Sequence, residues 1–229
     1  MATTLSVIVP MLNEAAALPV LVTQLAALTA QGAEVIVVDG GSSDGSADRA
    51  EQMAEHTGFS VVRSARGRAV QMNAGAARAR GDVLLFLHAD TRLPDTATTS
   101  LARVDPNTIA WGRFDVTIEG RPAMLKVVAT LMNWRSRITG IATGDQAIFM
   151  TRQAFDAVGG YPAQPLMEDV EITSRLRRMA RPLCLAERVT TSGRRWEQRG
   201  VWRTIFLMWR LRWAYWRGVS ASDIAKAYR

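Results

Sequence analysis

The chain has 229 residues, 48% hydrophobic, with mean hydropathy near zero, enough for one large globular domain with an appendage. A single cysteine, Cys184, excludes an internal disulfide framework, and no run of about 20 residues lacks charge or strong polarity, so no spanning helix is expected. The net charge of +7 is uneven: residues 1–171 carry 14 basic against 18 acidic side chains, and residues 172–229 carry 14 against 3. Such a tail points to an anionic partner, either a membrane surface or a nucleic acid.

No charged region precedes the first apolar stretch, and Pro10, Asn13 and Glu14 interrupt it, so no signal peptide is expected. Residues 5–10 read as a strand, with Asn13 as the cap of a helix to about residue 30 that Pro19 should kink or delay. Residues 34–39 form a second apolar run, followed by Gly-Gly-Ser-Ser-Asp-Gly-Ser and a helix over 46–56. A short strand (59–63), a small-residue helix (67–80) and a buried strand (83–87) complete the parallel-sheet rhythm. Beyond Thr91 the pattern changes. A short helix opens at 93–95, an alternating strand covers 109–118, and an amphipathic helix covers 123–134. Residues 144–150 lead into a strand, 151–158 form a helix, 159–162 a turn, 168–179 a basic helix and 183–189 a last strand. A long Trp- and Arg-rich helix (200–217) and a short one (221–228) close the chain.

Polar groups sit where three buried strands end: Pro10 to Glu14, Asp39 to Asp44, and His88 to Asp90. In a parallel sheet these ends share the edge where ligands bind. His88 and Asp90, two apart in an extended chain, could face one ligand, such as a cation carrying a diphosphate. The bland alternative is a strand that simply ends in a polar loop. Gly40, Gly41 and Gly45 let backbone approach a ligand, and Ser42, Ser43 and Asp44 can bond to it or cap the next helix. The turn matches neither the P-loop nor the dinucleotide fingerprint. Glu168, Asp169 and Glu171 open a predicted helix, where carboxylates suit either catalysis or the helix dipole.

Ser-Val-Ile-Val-Pro-Met-Leu-Asn-Glu (6–14) and Val-Ile-Val-Val-Asp-Gly-Gly-Ser-Ser-Asp-Gly-Ser (35–46) resemble the opening of family 2 glycosyltransferases. So do Gly67-Arg68-Ala69 with Asn73 and Gly75, the stretch from Leu85 through His88-Ala89-Asp90 to Thr91, and Met167-Glu168-Asp169. The resemblance covers residues 4–196 in the family's motif order. His-Ala-Asp and Thr-Gly-Ile-Ala-Thr-Gly-Asp-Gln-Ala (139–147) look closer to a subgroup described as radical-SAM/selenodomain-associated transferases.

The resemblance implies an α/β, GT-A-like Rossmann-type fold, with a mixed, mostly parallel central sheet flanked by helices. It places a transferase domain at 1–198, and the residues beyond it read as a basic, Trp-rich helical extension at 199–229. It implies a hexosyltransferase using a nucleoside diphosphate sugar, a UDP-sugar, with inversion and a Mn²⁺ or Mg²⁺ ion. Glu14 and Asp39 match residues that contact ribose and uracil, with Pro10, Asn13, Gly41, Ser42, Asn73 and Ala89 in the surrounding motifs. Arg68 matches a basic residue near the nucleotide. Asp90 matches the metal-binding aspartate, and His88 replaces the motif's first aspartate, where a neutral imidazole favours Mn²⁺ over Mg²⁺. Asp169 matches the base, next to Glu168. Asp145 is a competing carboxylate, and Gln146 a sugar or acceptor contact.

Arg195 and Trp196 resemble the end of a Gln-x-x-Arg-Trp motif of processive members, but Ser192 replaces the glutamine, which argues against a polymerising enzyme. An arginine there could meet the pyrophosphate and Trp196 could stack on a sugar, or the segment is a solvated basic loop. Trp202, Trp209, Trp213 and Trp216 fall on one helical face beside Arg203, Arg210 and Arg217. That face suits peripheral contact with an anionic membrane, with residues 123–132 as a second patch; the alternative is a packing helix with its Trp face in the core. A protein without a spanning segment and with such a helix is expected in the cytoplasm, at the inner face of the membrane. The rival readings are a nucleotidyltransferase, whose Gly-rich basic signature residues 10–18 lack, and a nucleic-acid-binding protein. The latter explains the tail but not carboxylates at three strand ends, so no nucleic-acid partner is expected.

Overall fold

The computed structural model describes residues 3–228. Eight strands form one mixed sheet in the order β3-β2-β1-β4-β7-β6-β8-β5. Its first half is parallel: β1 (Leu5–Met11), β2 (Glu34–Asp39), β3 (Ser60–Arg63) and β4 (Val83–Phe86), connected by helices α1 (Leu18–Ala30), α2 (Ser46–Thr57) and α3 (Arg68–Arg78). The register pairs Met11 with Asp39 and Ile8 with Phe86, so the carboxyl ends of β1, β2 and β4 share one edge. β4 is buried on both faces. Val83 and Leu85 enter one core layer with α1, and Leu84 and Phe86 enter the other with α3. Alternating Val, Leu and Phe with no charge is what such two-sided burial selects.

Pro19 delays the first helix. α1 starts at Leu18, and the proline occupies its first turn, where the missing N–H costs nothing. Asn13 does not cap it: the residue before the helix is Ala17, and Asn13 sits at φ 55° within the β1–α1 loop.

The second half mixes antiparallel joins with one parallel pair. β4 is followed by β5 (Thr91–Arg92), α4 (Ala97–Leu101), β6 (Trp111–Glu119), α5 (Met124–Thr139), β7 (Ile148–Thr151) and α6 (Arg152–Ala157). Then come α7 (Glu168–Leu176) and β8 (Leu183–Ser192). β7 runs against β4 and β6, β8 runs with β6, and β5 runs against β8. β5, not foreseen from its two residues, forces curvature on the sheet. It lies four strands from β4, about 19 Å if flat, yet only four residues separate the two and they form a turn closed by Thr91 N–H on His88 O at 3.0 Å. The sheet therefore curls its far edge back toward the end of β4.

β6 departs from simple alternation. Phe114, Val116 and Ile118 enter the core as expected, but the opposite face is covered too, burying Arg113 and Asp115. Arg113 pairs with Asp115, Arg137 joins them at 2.8 Å, and Asn133 brackets the backbone of Val116. α8 (Arg194–Arg199) stands where one of the two readings put a solvated basic loop, and α9 (Val201–Trp216) and α10 (Ala221–Tyr228) follow. Leu211 and Ile224 pack on Met167, next to the start of α7. Among the described residues no helix is long and apolar enough to cross a membrane.

Candidate active site

The ends of β1 and β2 are laced into one platform. Asn13 N–H donates to Ser42 Oγ at 2.9 Å, Ser43 N–H to Asn13 Oδ1 at 2.8 Å, and Ala15 N–H to Asp44 Oδ2 at 3.0 Å. Asp39 is buried, and its carboxylate accepts the Gly41 and Ser42 amides at 2.8 and 3.1 Å. Gly41, at φ 85°, makes this turn possible. From below, Gln71 of α3 donates Nε2–H to Met11 O and Val38 O, both at 2.8 Å. Its carboxamide lies so near Gly40 that a Cβ there would sit 2.8 Å from Gln71 Cδ. Pro10 is half-buried in β1 just before this platform.

Along the edge, Glu14 meets Arg194 of α8 at 3.5 Å. Burial raises the Glu14 carboxyl pKa; the Arg194 charge works against that and the Asp90 charge adds to it. The Asp90 carboxylate has no hydrogen-bond or ion-pair partner among the described residues. With Ala89, Gln24, Glu119 and Arg194 it lines a cleft of about 190 Å³. His88 faces elsewhere. Its Nδ1 lies 3.3 Å from Asp145 Oδ1, and its ring packs so closely on Gly144 that a methyl group there would overlap it. Residues 88–91 form a turn, so the two-residue alternation expected to aim His88 and Asp90 at one ligand does not apply.

The acidic start of α7 joins this side of the site. Gly144 N–H donates to Asp169 Oδ2 at 2.9 Å, and Val170 N–H to Oδ1 at 2.7 Å. Glu168 is buried 3.5 Å from Arg68 Nη1. Burial and the Glu168 charge lift the Asp169 pKa to about 6, against the pull of the two amides and the Arg68 charge. For Asp145, burial pushes the pKa up, but the His88 hydrogen bond and the charges of His88, Arg68 and Arg195 outweigh it and hold the carboxyl below its ordinary range. The site thus offers one carboxylate tuned toward neutrality beside one that stays ionised, a separation that suits proton transfer.

A family model described as glycosyl transferase family 2 matches residues 6–155. The chain belongs to that family. Among curated relatives it is similar to a PGL/p-HBAD biosynthesis glycosyltransferase of Mycobacterium bovis (strain BCG / Pasteur 1173P2). The identity is 39% over 102 residues, covering 43% of this chain and 39% of the relative. It is also 28% identical over 218 residues to the beta-monoglucosyldiacylglycerol synthase of Synechocystis, covering 83% of this chain and 45% of that one. The chain therefore spans less than half the length of these relatives. Among solved structures it resembles the Pyrobaculum calidifontis mannosyltransferase PcManGT in complex with GDP-Man and Mn²⁺ (TM-score 0.67, 22% identity, 93% of this chain and 61% of that one). It also resembles S. aureus TarS 1-349 in complex with UDP (TM-score 0.63, 22% identity, 82% and 60%). The curled mixed sheet is thus the GT-A fold of family 2.

Within this family 2 site, several residues that the motifs singled out serve the scaffold instead. Gln146 is fully buried, bonded to Thr143 N and Ser136 Oγ, and touches no cleft. Asn73 spends both ends of its amide on Tyr161. Trp196 packs against the core in α8, and Arg195 bonds the Tyr228 hydroxyl. Motif reading missed Gln71, a polar residue on the buried face of α3, whose position could have revealed it. It also missed Arg135 of α5, whose buried Nη2 has no partner among the described residues and whose guanidinium feels the Asp169 charge. Nothing in its surrounding sequence marks it. A divalent cation fits the donor chemistry here. Among the described residues no three His, Cys, Asp or Glu side chains cluster, and Asp90 is an unengaged oxygen donor. One carboxylate with substrate phosphates is how Mg²⁺-type ions are held.

Proposed function

We propose that this protein is a glycosyltransferase that moves one hexose from a UDP-sugar to an acceptor hydroxyl with inversion. The observation that carries the reading is Asp169, a carboxyl raised toward neutrality and clamped by the Gly144 amide beside the carboxyl edge of the sheet. The platform of Asn13, Asp39 and Ser42 would receive the nucleoside, Arg68 would stand near its phosphates, and Asp90 would hold a Mn²⁺ or Mg²⁺ ion. Such an ion, when bound, offsets charge on the leaving diphosphate. The acceptor oxygen attacks the anomeric carbon while Asp169 takes its proton, and the carbon–oxygen bond to the diphosphate breaks. One displacement at one face inverts the centre. That PcManGT was solved with GDP-Man and Mn²⁺, and TarS with UDP, supports a nucleotide-sugar donor.

We assign residues 199–229 to an extension that touches an anionic membrane from the cytoplasmic side. The exposure of Trp202, Trp209, Trp213 and Trp216, 61–80%, favours this over a core role for that face. The His-Ala-Asp and 139–147 motifs support placement near the radical-SAM/selenodomain-associated subgroup. A thermal-shift screen of nucleoside diphosphate sugars with Mn²⁺ tests the donor. A uridine sugar should stabilise most, and stronger stabilisation by another nucleoside would contradict that assignment.

A further inference from the structure

α9 divides into three lengthwise bands. Thr204 and Leu211 are buried, and Leu207, Met208, Ala214 and Tyr215 pack beside them. Trp202, Phe206, Trp209, Trp213 and Trp216 stand exposed within an arc of roughly 80°. Between these bands runs the arginine stripe. Arg203 and Arg210, with Arg199 of α8, line a groove of about 690 Å³ whose apolar wall is Phe206 and Leu207 and whose far side is Tyr228 of α10. Among the described residues no carboxylate lies within ion-pair distance of these three guanidiniums.

We infer that this groove seats the phosphate of an anionic bilayer lipid, with the aromatic band inserted at the headgroup layer beside it. The inference rests on the membrane contact proposed above and names its specific site. Arginine forks match phosphate oxygens, and Trp rings favour the interface. A nucleic acid would instead call for rings inside the cationic groove, where bases could stack. Here only Phe206 and Tyr228 line it, the Tyr228 ring already lies against Arg195 and Arg199, and the four Trp rings stand outside. A second exposed apolar face, Val127, Leu131, Trp134 and Ile138 of α5, adds area; both helices close the same core layer, α9 through Val201 and Ile205.

The groove also adjoins the side of the site that holds Asp145. The Tyr228 ring lies 5.3 and 5.6 Å from the guanidinium carbons of Arg195 and Arg199, and the Arg195 charge acts on Asp145. Tyr215 of α9 donates to Glu171, two residues from Asp169, at 3.0 Å. A lipid held there is brought to the edge where Asp169 works.

Co-sedimentation of the full chain at low salt tests this, with phosphatidylcholine vesicles, with phosphatidylglycerol vesicles, and with vesicles given the same surface charge by oleate. The groove pair Arg203→Gln/Arg210→Gln is compared with the charge-matched pair Arg178→Gln/Arg181→Gln and the band pair Trp209→Ala/Trp213→Ala. Arg203→Glu serves as a second groove variant, and circular dichroism checks folding of each. Wild type should prefer phosphatidylglycerol over oleate. The groove pair should lose about tenfold or more in affinity, and the control pair less than about threefold. Equal losses in the two arginine pairs, or no preference for phosphate over carboxylate, would overturn the groove and leave membrane contact standing. No sedimentation of wild type with any vesicle would overturn both. Binding of inorganic phosphate or RNA that needs Arg203 and Arg210, without vesicle binding, would assign the groove to a soluble anion and overturn the lipid. No readout depends on sugar transfer, so failure here is separable from failure of the glycosyltransferase reading.

Discussion

The Gly144 amide donates to Asp169 Oδ2 across 2.9 Å, while the other face of Gly144 packs on the His88 ring. One backbone unit thereby fixes the carboxylate proposed as base and the histidine that stands where the family's motif has an aspartate. Substitution of either neighbour should therefore be felt at both.

Asp169→Asn keeps the size and one of the two acceptor oxygens but cannot take a proton. It should lower turnover by about 10²–10⁴-fold and change nucleotide affinity by less than about twofold. In the wild type, kcat/KM should climb as pH rises through about 6, because Asp169 must be ionised to act. Steady-state rates across pH 5 to 8 check this.

The same residue predicts an inverse effect on stability. Its folded pKa lies above the ordinary value, so the folded state binds the proton more tightly than the unfolded chain. The stabilisation that this gives is complete below about pH 4 and lost as pH rises through about 6. Asn puts an NH2 against one of the two amides at any pH, so only the difference between pH values isolates the proton. Relative to the wild type, Asp169→Asn should be about 1–2 kcal/mol better placed at pH 8 than at pH 4, about 3–6 °C in Tm. Thermal melts at the two pH values check the sign.

Gly144→Ala places a methyl group on the His88 imidazole and pushes the Gly144 amide away from Asp169. A cost of about 1–3 kcal/mol in stability is expected. Activity should fall with it, and the ascending limb of the pH profile should move as Asp169 loses the amide. Urea unfolding and a repeated pH profile measure both.

Gln71→Leu takes the Nε2–H donors from the buried carbonyls of Val38 and Met11, of which Met11 O keeps the Gly40 amide at 3.0 Å. The loss should be about 1–3 kcal/mol. Because these carbonyls end β1 and β2, nucleotide affinity should weaken more than turnover. A split of KM against kcat distinguishes this from a general loss of folded protein.

The strands were readable wherever burial is two-sided. Val83–Phe86 and Glu34–Asp39 announce themselves as apolar runs that stop on polar groups, and of the kink or delay that Pro19 signals in α1 the structure shows the delay. β5 was not readable, because two residues carry no period and their partner on β8 lies 100 positions away. Arg113 and Asp115 look like the solvent side of an alternating strand and are buried because α5 covers them with Arg137. The carboxylates at the strand ends were legible, since chain order alone brings them to one edge. Their division of labour was not. Which carboxyl is spent on its own loop, as in Asp39, and which stays open, as in Asp90, depends on a turn of three residues. Gln146 and Asn73 carry the motif but face inward, a matter of side-chain direction that residue spacing does not report.

Calorimetric titration of UDP into the wild type and Asp90→Ala, each with and without Mn²⁺, tests the central proposal most directly. Saturable binding that requires the ion in the wild type, weakened about tenfold or more by Asp90→Ala, is the expected result. Binding that ignores the ion, or that survives Asp90→Ala unchanged, would remove Asp90 from the diphosphate site and contradict the reading.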